Sequence, residues 1–463
     1  MMEVNEKTSM LEELKSAFKL SSDFKYKNYS TGEISLHLCY LDTLIDSELI
    51  QSHILESAFK KKDSNHVVTS ILDSTDVTAI DECFQLILNG NVIAFNDNDK
   101  NIAIAYATPS NNDRSIDESK IEAITVGSHD SFVESLKTNS NLIRKRIRTK
   151  DLIIKNMTVG KKYPINLSIF YLTNLTPQSM ITTIEQRIKN LEASGKAETN
   201  GMIESGHIQY IMEEYPSSPF PQVMRTERPD RTVRHLLNGK PAILLDNEPN
   251  ALLFPHNIYS FFQSTEDLNF RWLLGVSFYI MRIFAFWITL LLPALYIAVT
   301  TYHSNILPLS IFYTLKLSIE NVPLPPLAEA FTMMIILELL KEASIRLPNQ
   351  IGSTIGTVGA IVIGTSIVQT NLISNSMVVV IAITAVASFS LPSRDMSISS
   401  RFLGFPLLIL ASIFGFLGIC LGIFIILAHI AKISSLGFRY VENPAFSEFL
   451  FLKNRKSKNH DQQ

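Results

Sequence analysis

The chain has 463 residues, with 41 Lys and Arg against 44 Asp and Glu and a net charge of -3. That balance supplies no basic surface for nucleic acid. Three cysteines (Cys39, Cys83, Cys420), odd in number and without metal-ligand spacing, argue against a disulfide framework or a zinc site and fit a reducing compartment.

Residues 1–32 read as a flexible N-terminal segment. They hold no apolar core of the kind that heads a secretory signal. The polar part that follows is therefore expected to stay in the cytoplasm. Two α/β subdomains are expected next, over 33–150 and 151–257. Ile34-Ser-Leu-His-Leu-Cys-Tyr-Leu41 resembles Ile165-Asn-Leu-Ser-Ile-Phe-Tyr-Leu172. Both alternate apolar and polar residues as half-buried strands do. A helix-like segment follows each, Ser47 to Lys60 and Thr176 to Leu191. Thr176-Pro177 supplies an N-cap and a first-turn proline. Later in each copy Leu-Asn-Gly (88–90 and 237–239) precedes a short apolar run, Val92 to Phe95 and Ala242 to Leu245. Asn-Gly between apolar runs predicts a type I′ hairpin. The matched order predicts that the head is a duplication.

Between the copies, Asn141 to Lys150 carries Arg144, Lys145, Arg146, Arg148 and Lys150. With residues 130–137 it predicts a helix whose cationic C-terminal end complements the dipole. It serves either as a solvated end or as a contact for an acidic partner or anionic lipid. Further on, Ser218-Pro-Phe-Pro-Gln222 leads to Thr226-Glu-Arg-Pro-Asp230. Glu227 and Asp230 flank Arg228 without a nucleophile, a glycine loop or a metal cluster. This predicts a structural ion-pair knot rather than a catalytic loop. No catalytic, cofactor-binding or metal-binding residue is expected in the chain.

Composition breaks near Trp272. Residues 272–433 carry seven Lys or Arg and five Asp or Glu. The expectation is an α-helical multi-span membrane domain over 258–433, with four to five spans, followed by a polar basic tail over 434–463. Leu273 to Thr301 is the first span. Its Arg282 must snorkel, face a wet interior, or pair with Glu320, Glu329 or Glu338, because a charge at that depth is costly. Asn321-Val-Pro-Leu-Pro-Pro326 interrupts the next apolar run. Leu327 to Arg346 then predicts a helix, re-entrant or interfacial, carrying Glu329, Glu338, Lys341 and Glu342. In Ile351 to Leu372, Gly352, Gly356, Ala360 and Gly364 recur every four residues. That face permits close helix packing. Ile355, Val358 and Val362 supply an apolar surface that either lines a pore closing by dewetting or serves ordinary helix packing within one subunit. Met377 to Leu391 is a short span. Phe402 to Ile433 is a long one with its own small-residue set, Ala411, Gly415, Gly418 and Gly422. Four spans, favoured by the basic tail, put both termini on the cytoplasmic side, whereas five would place Lys341, Arg346, Arg394 and Arg401 inside and the tail outside.

Several stretches in order resemble the A subunits of the GerA-type germinant receptors of bacterial spores. They are Phe132 to Asn139 with Leu142 to Ile147, Pro219 to Gln222, Thr226 to Asp230, Gly239 to Asp246, Glu266-Asp267 with Arg271-Trp272, Val322 to Pro325, Leu339 to Pro348, and Ile351 to Gly364. One departure is clear. The family pattern carries Arg-Gly-Pro before its Gly-Phe-x-Glu segment, where this chain reads Val126-Gly-Ser-His-Asp-Ser-Phe132. The missing arginine removes an expected charge contact. The resemblance implies a subunit of a three-part receptor in the spore inner membrane, with a transporter-like B subunit and a lipoprotein C subunit. It implies a cytosolic head of two similar subdomains and a homo-oligomer forming a nutrient-gated ion channel. An accessory, SpoVAF-like channel of the same superfamily is the near alternative. A transporter or a membrane-anchored enzyme is the distant one. Thr226, Glu227, Arg228 and Asp230 are then expected to couple the subdomains. Residues 352–364 are expected to line the pore, and Arg282, Glu329 and Glu338 to be the intramembrane charges.

Overall fold

Strand β1 (Phe24–Thr31) pairs antiparallel with β2 (Ile34–Leu41) along their full length, from Phe24 opposite Leu41 to Thr31 opposite Ile34. The computed structural model describes residues 9–31, 34–46, 49–50, 74–96, 99–108, 127–193, 203–320, 322–346, 365 and 369–441. The helix expected over Ser47 to Lys60 lies largely outside them. The chain divides into two units, Met1–Pro216 with Val223–His256, and Ser217–Gln222 with Asn257–Gln463.

In the first unit, β1 and β2 join β3 (Ser74–Val77), β4 (Asn91–Asn96) and β5 (Asp99–Ala107) in an antiparallel sheet of order β1-β2-β4-β5-β3. Helices α1 (Met10–Phe18) and α2 (Ile80–Leu88) cover one face. Leu11, Leu14 and Phe18 of α1 and Cys83 and Ile87 of α2 bury Cys39, Leu41, Ile93 and Phe95. Leu36, Leu38 and Tyr40 are buried on the opposite face with Val92 and Tyr106. β2 is thus covered on both faces, not half-buried as its alternation suggests. The polar His37 on this strand is accommodated by a 2.7 Å hydrogen bond between its Nδ1 and the Tyr26 hydroxyl. Burial pushes the Cys39 thiol up to about 12 and the Cys83 thiol to about 11, so both are inert core residues.

Helix α3 (Leu136–Arg146) links this sheet to a second one. The second sheet comprises β6 (Leu152–Val159), β7 (Ile165–Leu172), β8 (Met224–Thr226), β9 (Ala242–Leu245) and β10 (Ala251–Leu253), in the order β6-β7-β9-β10-β8. The two sheets therefore share one strand order, with every pairing antiparallel. Helices α4 (Gln178–Ala193), α5 (Ser205–Met212) and α6 (Pro229–Leu237) belong to the second half.

The two Asn-Gly pairs do not turn hairpins. Asn89-Gly90 ends α2 and Asn238-Gly239 ends α6, with Gly90 at φ 89° and Gly239 at φ 74°. After α6, Gly239 N–H donates to Leu236 O and Lys240 N–H to His235 O, the paired bonds of a Schellman cap. An αL glycine serves a helix end as well as a hairpin, and the preceding residues decide between them. The amphipathic run from Pro229 forms a helix, not a strand.

In the second unit, α7 (Trp272–Thr301) packs mainly on α10 (Asn375–Phe389) and α11 (Arg394–Phe414). α8 (Leu309–Glu320) buries no side chain. α9 (Pro326–Arg346) is one continuous helix packed on α7, α10 and α11. Among the described residues, α7 and α11 are long and apolar enough to cross a membrane. α10 and α12 (Phe416–Lys432) are shorter apolar helices. A two-stranded ribbon, β11 (Ser434–Ser435) and β12 (Phe438–Arg439), follows.

The run Phe402 to Ile433 is thus not one span. It breaks at Gly415, whose φ of 60° and ψ of -135° fall in a region open to glycine alone. A Cβ there would meet His303 Cε1 at 2.8 Å. One at Gly418 would collide with Leu410 O, and one at Gly422 with the Leu407 side chain. This small-residue set therefore seats α12 against α11 within one chain. Cys420 is exposed on α12.

Candidate functional site

The basic helix end resolves into fasteners. Ser135 caps α3, so the helix starts at Leu136 rather than near Asp130. Arg144 is fully buried. Its Nε and Nη2 bind the Asp23 carboxylate at 3.2 and 3.0 Å, Nη1 donates to Leu152 O at 2.8 Å, and Nη2 to Ser21 Oγ at 3.1 Å. Asp23 also accepts from Thr43 Oγ1 at 3.1 Å. The residues around Asp23 reach β6 directly: Ser22 N–H donates to Ile154 O at 2.7 Å. Arg144 is therefore neither solvated nor open to lipid. It joins the first sheet to the second.

The loop that lacks the family's arginine is held by arginines from elsewhere. Arg146 Nη2 meets both oxygens of Asp130 at 2.5 Å. Burial pushes the Asp130 carboxyl up, but hydrogen bonds from Ser128 and Arg146 outweigh it and hold the group below its usual range. Arg228, almost wholly buried, donates from Nη2 to Ser128 O at 3.0 Å and clasps Asp230 through Nε at 3.0 Å and Nη2 at 2.7 Å. Thr226 Oγ1 accepts from Arg228 N–H at 3.1 Å, and Glu227 O accepts from Phe132 N–H at 2.7 Å. Thr226, Glu227, Arg228 and Asp230 thus come together as a knot between the 128–132 loop and the start of α6. Glu227 contributes to it through its backbone carbonyl. No group of three metal-ligating side chains occurs among the described residues.

The sequence did not single out the partners of Ser217–Gln222, a segment of the second unit. Ser218 Oγ lies 2.8 Å from His429 Nε2, Tyr440 OH donates to Pro221 O at 2.6 Å, and Ser399 Oγ bonds Pro219 O. This end of the bundle therefore gathers the start of α11 and the end of α12. At the opposite end, Tyr302 OH donates to Ser412 O and Ile413 O at 2.8 and 3.0 Å, and the His303 ring lies 4.6 Å from that of Phe416. α7 and α11 accordingly run in the same direction, and α12 returns against both.

The charges expected to lie within a membrane pair differently from expectation. Arg282 binds none of Glu320, Glu329 or Glu338. Its Nη1 reaches back to Asp267 Oδ2 at 2.5 Å, one helical stretch before α7 begins. Glu338 instead takes Arg401 of α11, with Nη2 to Oε2 at 3.2 Å, and Arg401 Nη1 donates to Ser397 Oγ at 2.8 Å. Lys341 Nζ bonds Ser388 Oγ at 2.6 Å. Glu329 is fully buried and accepts from Ser374 N–H and Oγ, both at 2.8 Å on Oε2. These pairs join residues distant in sequence, so spacing alone could not find them. The lining proposed for a pore (Gly352, Ile355, Gly356, Val358, Ala360, Val362, Gly364) lies outside the described residues.

An α/β unit of two like-ordered sheets followed by a helical unit with two apolar helices of membrane-crossing length defines the class. A sequence profile described as "Bacillus/Clostridium GerA spore germination protein" matches residues 12–454. The chain belongs to this family. It is 31% identical to spore germination protein KA of Bacillus subtilis over 91% of this chain and 78% of that protein. It is 34% identical to spore germination protein A1 of the same organism, over 93% and 88%. It is 32% identical to spore germination protein GerQA of Bacillus cereus, over 92% and 85%. A crystal structure of the N-terminal domain of the A subunit of the Bacillus megaterium spore germinant receptor GerK3 aligns at 22% identity and TM-score 0.40, over 53% of this chain and 92% of that one.

Proposed function

We propose that this protein is the A subunit of a nutrient germinant receptor. It sits in the spore inner membrane with its α/β unit on the cytoplasmic side and acts with a B and a C subunit. Copies of the chain assemble around a nutrient-gated path for ions, and no cofactor or catalysis is involved. The observation that carries this reading is the match to the GerA family along nearly the whole chain. The parallel α7 and α11, with α12 returning against them, support a multi-span domain in which the start of α7 and the end of α12 share a side. The common strand order of the two sheets supports a head made by duplication, its second subdomain over 151–257 and its first taking in α1 and β1, part of the stretch 1–32 that reads as a flexible segment in sequence. The Arg228 knot and the Arg144 clasp then make the two halves move as one.

The test is nutrient-triggered release of monovalent cations from spores in which this chain is the only A subunit. Deletion should abolish release, and co-purification should recover the B and C subunits. Gly356→Leu should block release while leaving the protein in the membrane fraction. Normal release in that variant would remove the 351–372 segment from the ion path. Release that persists after deletion of the B and C genes would turn the reading to an accessory channel.

A further inference from the structure

We propose a monovalent-cation site at the buried Glu329 carboxylate, which deepens and rests on the reading of this chain as an ion-conducting subunit. Glu329 lies in the first turn of α9 and is 0% exposed. Its surroundings are apolar: Ala330, Met334, Ile373 and Met377 form one buried cluster with Ile297 and Leu408. Ser374, the N-cap of α10, gives Oε2 its two hydrogen bonds. Oε1 is equally enclosed and has no hydrogen-bond partner among the described residues. No arginine or lysine forms an ion pair with Glu329 there, in contrast to Asp267 and Glu338. A carboxylate so placed is costly unless something neutralises it.

The neighbouring groups fit a small hard cation. Ser374 Oγ lies 3.5 Å from Tyr296 OH and 3.4 Å from Ser376 Oγ. Tyr296 OH is 2.7 Å from Ser376 Oγ, which is 3.4 Å from Ser318 Oγ of α8. These hydroxyls run from half-buried positions on α7, α8 and α10 to the enclosed carboxylate. Oxygen is the ligand type that hard cations take. One carboxylate supplies one negative charge, so Na⁺ or K⁺ is neutralised there, whereas a divalent ion would leave a buried positive charge. The hydroxyl series supplies successive oxygens through which a partly dehydrated ion exchanges ligands.

The full chain purified in detergent is melted in NaCl, KCl and choline chloride at matched ionic strength and pH. Na⁺ or K⁺ is expected to raise the melting temperature saturably above that in choline, and Glu329→Gln to abolish the difference. Ser376→Ala and Tyr296→Phe keep the carboxylate and should each raise the half-saturating concentration by roughly tenfold. They remain informative where Glu329→Gln does not fold. Equal melting in all three salts, or stabilisation that follows pH alone, would mean that a proton or nothing occupies the site and would overturn the proposal. Unchanged half-saturation in both hydroxyl variants would do the same. Binding is read without conduction, so a chain that binds cations but carries no current defeats the channel reading and leaves the site standing.

Discussion

The two units handle buried charge in opposite ways. In the first, Arg144 and Asp23 are almost completely enclosed, yet each is met by several partners. In the second, Asp267 and Glu329 each keep one enclosed oxygen without a hydrogen bond among the described residues. A fully satisfied ionic network fixes a single arrangement. A partly satisfied one is where a ligand or a rearrangement gains most. The contrast teaches that the α/β unit uses charge to lock its two sheets together, while the helical unit keeps acceptors in reserve.

Breaking the lock should give the largest effect. Arg144→Ala leaves Asp23 buried and uncompensated, and should cost about 3–5 kcal/mol. Chemical denaturation of the full chain checks this, and a cost under about 1 kcal/mol would refute a joining role. Next comes the α11–α12 turn. Gly415→Ala forces a side chain into a glycine-only conformation and should cost about 1–3 kcal/mol. It should be visible as a lower melting temperature in detergent. Gly239→Ala places a Cβ 2.7 Å from Leu175 O at φ 74°. It should cost about 1–2 kcal/mol. The matching cap glycine of the first sheet, Gly90, offers the internal comparison: Gly90→Ala should destabilise in the same direction.

A separate effect is graded by pH. His235 and His256 stack at 4.6 Å inside the second half of the head. Burial pushes the His235 imidazole down to about 3, and burial followed by the charge of His235 lowers His256. Unfolding restores both to near 6.5, so below that pH the unfolded chain binds more protons. The stability from keeping these rings neutral is fully present above pH 6.5 and is lost as pH falls towards 3. The slope is about 1.4 kcal/mol per pH unit for each ring. Denaturation at pH 7 and pH 5 should show the loss, and His256→Phe should flatten it. An identical pH dependence in that variant would remove the pair as its cause.

Much was legible in the sequence because it was local. Ile34–Leu41 and Ile165–Leu172 are strands at the expected bounds. Helix α7 covers the expected first span, and the Thr226–Asp230 stretch is an ion-pair knot. Strand alternation, apolar run length and adjacent opposite charges are properties of neighbouring residues, so they can be read along the chain. Tertiary structure decided the rest. Nothing near Arg144 in sequence announces Asp23, nothing near Arg282 favours Asp267 over three glutamates, and nothing near Arg401 names Glu338. Asn-Gly is conformational permission, and only the helix before it made it a cap. Gly415 reads as one small residue in an apolar run until His303 and Tyr302 close around the turn. The sequence by itself thus determined the repeated strands, the first apolar helix and the break between a polar and an apolar unit. Which charges are satisfied, and which oxygen is left over, depended on side chains brought together from distant positions, because electrostatic and hydrogen-bond partners are chosen by distance in space and not by distance along the chain.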